Sequence, residues 1–213
     1  MATSEPSLRE RNRQEAWTAI HEAASAAALE GGLAAATVDV IVTRAGVSRR
    51  TFFNYFHTKE DAILGLREPV LADDAVAAFR AAGREVVGDA VHLMAAVMRT
   101  AGPAGMADQR PRTVLQRVPE LLTRLKQHVT DVQQLVEPLI AERLRSRPGE
   151  NGEPGEGGVE SAALQERVTI VKMLAGSILQ YAYATELAAV VAGDSAAIDR
   201  AIDAFRTVSR TAL

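Results

Sequence analysis

Between residues 37 and 59 the chain reads TVDVIVTRAGVSRRTFFNYFHTK, and the glycine in its middle constrains the fold more than any other single position. Thr37 suits the N-cap of a short helix through Ala45, with Val38, Ile41 and Val42 turned inward. Gly46 stops that helix, and Ser48 caps the next, which is expected to reach about Phe56. A turn this tight does not let the two helices lie antiparallel, so they cross steeply in a helix-turn-helix arrangement. Ala45, Val47, Phe52 and Phe56 form the wedge that fixes the angle, because Phe52 and Phe56 are four apart and share a face. The opposite face offers Arg49, Arg50, Thr51, Asn54 and Tyr55, whose donors and flat groups suit base edges, sugars and phosphates. Arg44 and Lys59 flank them, with His57 nearby.

Charge placement sharpens this reading. Residues 1–60 hold equal numbers of basic and acidic side chains, yet 43–59 carries Arg44, Arg49, Arg50 and Lys59 and no acid. A short basic island in a neutral unit fits site-directed contact with DNA and does not suit an indiscriminate nucleic-acid coat. The net charge of −3 points the same way.

The rest of the chain reads as helix nearly throughout, since alanine is abundant and β-branched alternation scarce. Residues 1–8 are expected to be a frayed arm. A helix over 9–29 carries Trp17, Ile20, Ala24 and Ala27 as a core-facing stripe, and Gly31-Gly32 stops it. Thr58 caps a fourth helix, with Glu60 and Asp61 in its first turn, where negative charge is favourable. Longer helices follow over 72–82, 86–100, 106–118 (interrupted near Pro111), 120–145, 160–191 and 195–210. The stretch SRPGENGEPGEGG, 146–158, reads as a surface loop. These elements predict an all-α chain in two parts. A helix-turn-helix unit spans 1–57, and a larger helical unit spans 58–213.

Several functions are disfavoured. With no cysteine, disulfides, iron–sulfur clusters, thiolate zinc sites and cysteine nucleophiles drop out, which fits a reducing compartment. No signal peptide shows, and no apolar run is long enough to span a membrane, so a cytoplasmic location is expected. Walker, GxSxG and HExxH patterns are absent, and His21, His57, His92 and His128 lack metal-ligand spacing. No enzyme activity, cofactor or metal is expected.

The segment 37–60 resembles the TetR family of bacterial transcriptional repressors. The likeness rests on Thr37, Ala45-Gly46-Val47-Ser48, Thr51-Phe52-Phe53-Asn54-Tyr55-Phe56 and Lys59-Glu60, and covers residues 12–65. The resemblance implies that Thr37 and Lys59 meet phosphate and that Ser48 caps the recognition helix. It also implies that Arg49, Arg50, Thr51 and Asn54 face the groove, with Tyr55 near the backbone. Two positions depart from the family: many members carry Gly where this chain has Arg50, and Tyr where it has Phe53. Arg50 adds a candidate phosphate or base contact. Phe53 cannot donate a hydroxyl hydrogen bond and packs against sugar or the domain core instead. The candidate DNA-contact set is thus Thr37, Arg44, Ser48, Arg49, Arg50, Thr51, Phe53, Asn54, Tyr55 and Lys59.

A single such unit makes few contacts, so a two-fold homodimer on a palindromic double-stranded operator is expected. The last two helices are the natural interface, because the stretch 170–191 is apolar on more than one face and Gly176-Ser177 permits close approach. Candidate interface residues are Ile178, Leu187, Val190, Ile198, Ile202 and Phe205; their burial within one chain is the alternative. The resemblance further implies a four-helix dimer bundle and a small-molecule effector pocket. Candidate lining residues are Leu93, Met94, Val97, Met98, Leu125, Val129, Met173 and Tyr181, with ordinary core packing as the alternative for each. The functional expectation is a repressor released from its operator by that effector. An activator of the same fold, or a helical adaptor that does not bind DNA, remain the alternatives.

Overall fold

The first helix begins one residue after Ser7, whose hydroxyl accepts from the Glu10 N–H (3.2 Å) while the Glu10 carboxylate accepts from the Ser7 N–H (2.7 Å). This reciprocal cap starts α1 (Leu8–Ala35) slightly earlier than the apolar stripe alone suggests. The computed structural model describes residues 7–83, 85–102, 110–146 and 157–212, apart from the side chains at 110–112, 157–160, 187, 188, 191 and 212. Residues 1–6 of the expected arm (1–8) and 147–156 of the expected Gly/Pro-rich loop (146–158) lie outside the described residues, while Ser7 and Leu8 belong to the start of α1.

Ten helices follow one another among the described residues, with no strand. After α1 come α2 (Val38–Ala45), α3 (Arg49–Phe53), α4 (Lys59–Leu64), α5 (Asp73–Ala81) and α6 (Val86–Ala101). Then come α7 (Arg110–Arg117), α8 (Leu121–Arg145), α9 (Gly157–Val191) and α10 (Ser195–Ala212). The expected stop at Gly31-Gly32 is a kink instead. Gly32 takes φ 75° and ψ −178°, a conformation that favours glycine, and one more helical turn follows. Pro138 sits inside α8 without ending it.

The chain divides into two compact units. The first is Met1–Arg67 with Pro103–Lys126, and the second is Glu68–Gly102 with Gln127–Leu213. The first unit thus runs past the expected end of the helix-turn-helix part at residue 57. Helix α4 packs against α1, and Ala62, Ile63 and Leu64 are buried in the same core as Trp17, Ile20, Phe52 and Phe56. Helix α7 also packs on α1 and adds Val114 to that core, and Val118 just after it joins too. The reason is the apolar back of α4, which has to be covered and is covered by α1. Asp61, the third residue of α4, is buried; it closes a capping box with Thr58 and accepts from Arg124 Nε at 2.7 Å.

The second unit is built around α6, which is apolar on most sides and packs against α5, α9 and α10. Val168, Val171, Ala175, Ile178 and Ala182 of α9 form its inward stripe, at the alternating steps of three and four that keep a helix on one line. Arg143 of α8 donates to the Phe79 carbonyl (2.6 Å), to the Ala82 carbonyl and to the Asp89 carboxylate (3.0 Å). It thereby closes the C-terminal end of α5 from across the unit.

Candidate nucleic-acid interface

Two short helices and the turn between them hold the candidate contacts in place. Thr37 Oγ1 accepts from the Val40 N–H at 3.3 Å and starts α2. Gly46 takes the left-handed conformation, φ 66° and ψ 31°, and the Val47 N–H reaches back to the Val42 carbonyl at 3.0 Å. That pairing satisfies carbonyls at the end of α2 and turns the chain sharply. Ser48 Oγ accepts from the Thr51 N–H (3.0 Å) and lies 2.9 Å from the Thr51 hydroxyl. Ser48 and half of Thr51 are thus spent on shaping the helix.

Helix α3 ends at Phe53, three residues short of the expected end, and Asn54 and Tyr55 form a turn. The backbone still coils: the Phe56 N–H bonds to the Phe52 carbonyl at 2.9 Å. Phe52 and Phe56 therefore share the buried face as expected, their ring centres 6.0 Å apart, with Trp17 5.5 Å from Phe56. Arg67 lies over the Trp17 ring at 4.1 Å. Burial of these aromatics leaves the other side of α3 to solvent. Arg49, Arg50 and Asn54 are exposed there.

Phe53 is 51% exposed and stands edge-on to Phe52. It is on the outer surface and does not join the domain core, one of the two places expected for it. Tyr55 is half-buried and packs against the core, which moves it away from a purely DNA-facing role. Lys59 is also half-buried, and its ammonium donates to the Leu33 carbonyl at 2.6 Å, near the end of α1. Arg44 pairs with Glu30 at 2.7 Å, and Arg49 lies 3.3 Å from Asp39. The Arg44 guanidinium holds the Glu30 carboxyl below its usual range, chiefly through their hydrogen bond. The acids were visible in the sequence, but both lie outside the acid-free stretch, so only the folded unit shows the pairing.

The second unit contains a cavity of about 600 Å³ lined by residues of α5, of α6 and of the turn at Gly193. Leu93 and Val97 line it, with Phe79, Asp89, His92 and Arg99. The other six candidates do not line it. Met94 and Met98 are packed into the core, and Val129 is half-buried on α8. Leu125 belongs to the core of the first unit. Met173 and Tyr181 are 64% and 51% exposed, because they lie on the side of α9 away from its buried stripe. Asp89 carries a signal that the expectation passed over. A single acid inside the apolar run of α6 requires a buried partner, and Arg143 provides it.

Four candidate interface residues pack within their own unit, the alternative given for them. Ile178, Val190, Ile198 and Ile202 are buried in the core of their own unit, and Phe205 is partly buried against it. The Leu187 side chain lies outside the described residues. A methyl on Gly176 would lie 2.5 Å from Gln133 Nε2, so that glycine faces α8 of its own chain. The apolar side chains α9 and α10 turn outward are Ile170 (49% exposed), Met173, Tyr181 and Val208 (64%).

A turn of this type presenting an uncovered basic helix face defines a helix-turn-helix DNA-binding unit. Residues 20–64 match the family model of bacterial regulatory proteins, tetR family. The chain carries a TetR-family N-terminal helix-turn-helix domain, that of a TetR-type DNA-binding transcriptional regulator. No curated protein matches the chain. No described helix is long and apolar enough to cross a membrane.

Proposed function

We propose that the protein is a cytoplasmic transcriptional repressor that binds a palindromic operator as a homodimer and is released by a small molecule. The observation that carries this reading is the outer face of α3, where Arg49, Arg50, Phe53 and Asn54 project from a helix anchored by Ser48, Phe52 and Phe56. Arg49, Arg50 and Asn54 are donors for base edges, and Phe53 offers an apolar surface for a thymine methyl or a sugar. Thr37, Arg44 and Tyr55 serve the phosphate backbone. Lys59 has two further ammonium donors for phosphate beyond the one given to Leu33.

Two copies meet through the outward faces of α9 and α10, where Ile170, Met173, Tyr181 and Val208 leave apolar surface to be covered. The effector occupies the cavity beside Phe79, Leu93 and Val97. By binding one state of the dimer more tightly, it shifts the population away from the spacing that fits two successive major grooves.

Fluorescence anisotropy with DNA from upstream of the protein's own gene, against scrambled DNA of equal length at stated salt, tests the reading. The expected result is preferential saturation at one dimer per palindrome. Equal binding to both duplexes, or none by a folded dimer, would overturn it.

A further inference from the structure

The basic island is far less available than its sequence suggests. Of Arg44, Arg49, Arg50 and Lys59, three already hold a partner supplied from outside the acid-free stretch: Glu30, Asp39 and the Leu33 carbonyl. Arg50 alone has no side-chain partner among the described residues. Glu30 lies in α1 shortly before the Gly32 kink, toward the negative end of that helix dipole, where a carboxylate gains nothing from its own helix. Its hydrogen bond to Arg44 is what it gains. Asp39 lies in the first turn of α2 and reaches Arg49 at the start of α3.

These are exposed pairs, so each is weak in water and a phosphate can compete for the arginine. The competition is unequal between cognate and random DNA. Non-specific binding consists almost wholly of phosphate contacts, so it meets the full cost of displacing or facing a carboxylate. Asp39 touches Arg49 through Nη1, which leaves the Nε and Nη2 edge of the guanidinium free for a base. Cognate DNA can therefore use Arg49 while its pair with Asp39 persists.

We propose that Glu30 and Asp39 are positioning residues of the DNA surface: their carboxylates stand in for phosphate on Arg44 and Arg49, and so lower affinity for non-cognate DNA more than for the operator. This rests on the DNA-binding reading above. The two failures are distinguishable, because wild-type protein that binds neither duplex overturns that reading, whereas the acid variants test only this one.

The test compares wild type with Glu30→Gln and Asp39→Asn on the same two duplexes over a salt series, with thermal melting to confirm folding. Each variant is expected to bind scrambled DNA several-fold more tightly and to gain roughly one unit of salt slope; Asp39→Asn, which frees a base-reading arginine, is expected also to lose operator-to-scrambled discrimination. Unchanged or weaker binding to scrambled DNA by both folded variants, with unchanged slope, would overturn the proposal. Repeating Glu30→Gln on an Arg44→Ala background separates pairing from direct repulsion. Pairing predicts that the gain disappears there, and an undiminished gain would overturn the pairing mechanism.

Discussion

Four successive helices of the first unit, α1 to α4, start at Ser7, Thr37, Ser48 and Thr58, whose hydroxyls each accept the N–H three residues on. In the second unit, α5 and α6 start at Ala72 and Glu85 with no side-chain cap. The end of α5 is closed by Arg143, which donates to Phe79 and Ala82 from more than sixty residues along the chain. The first unit thus terminates its helices with neighbours in sequence. The second terminates this one with a neighbour in space. For α2, α3 and α4, with eight, five and six residues, the cap is a large share of what holds the helix, whereas α6 gains its stability from packed faces. The difference suits the functions proposed for them. A reading head needs a rigid small shape, and an effector unit needs a core that can hold more than one packing.

The sharpest way to break this comparison is Arg143→Met. If α5 and Asp89 depend on that distant guanidinium, the second unit should lose about 3–5 kcal/mol in urea unfolding, as expected for breaking a buried pair. A loss no larger than that of a surface substitution would mean the helix ends there are set locally after all.

Tyr183 gives a second probe of packing in that unit. Burial pushes its phenol from 10.0 up to about 12, against a smaller opposing influence from Arg99. The unfolded phenol ionises first, so this contribution is whole below pH 10.0 and declines as pH rises toward about 12. The decline should amount to about 2–3 kcal/mol. Tyr183→Phe should flatten the alkaline fall of the urea midpoint, and an identical fall in the variant would show the ring is not held as described.

Gly46→Ala tests the local side of the comparison. A methyl there meets open space, so the cost of about 1–2 kcal/mol comes only from the left-handed backbone. Calorimetry should show it in the first unit, and a neutral result would mean the turn readjusts freely. Ser48→Ala should cost about 1 kcal/mol through the lost cap. A much larger weakening of operator binding than of stability would show that Ser48 also touches DNA.

Much of the first unit was legible because its signals are short-range. Thr37, Gly46, Ser48 and Thr58 act on N–H and carbonyl groups within a few residues, and such groups can be paired off on paper. Phe52 and Phe56 were legible for the same reason, since four residues along a helix always bring two side chains to one face. The ionic partners of Arg44 and Arg49 were not legible. Glu30 and Asp39 reach them only after α1, α2 and α3 have packed.

In the second unit the sequence determined that α9 is helical and apolar, and no more than that. With apolar residues on several sides, nothing local decides which side turns inward. Contact with α6 and α10 makes the choice: Ile178 goes to the core, and Met173 and Tyr181 go to the outside. The cavity residues follow from the same choice, because Leu93 and Val97 line the space while Met94 fills the core beside it. Sequence alone determined the helices, the capped starts of α2, α3 and α4 and the basic face of α3, since these depend on hydrogen bonds and spacings a few residues long. Only tertiary structure decided which apolar faces were buried, which charges were paired and where the cavity lies, since burial depends on groups brought together from distant parts of the chain.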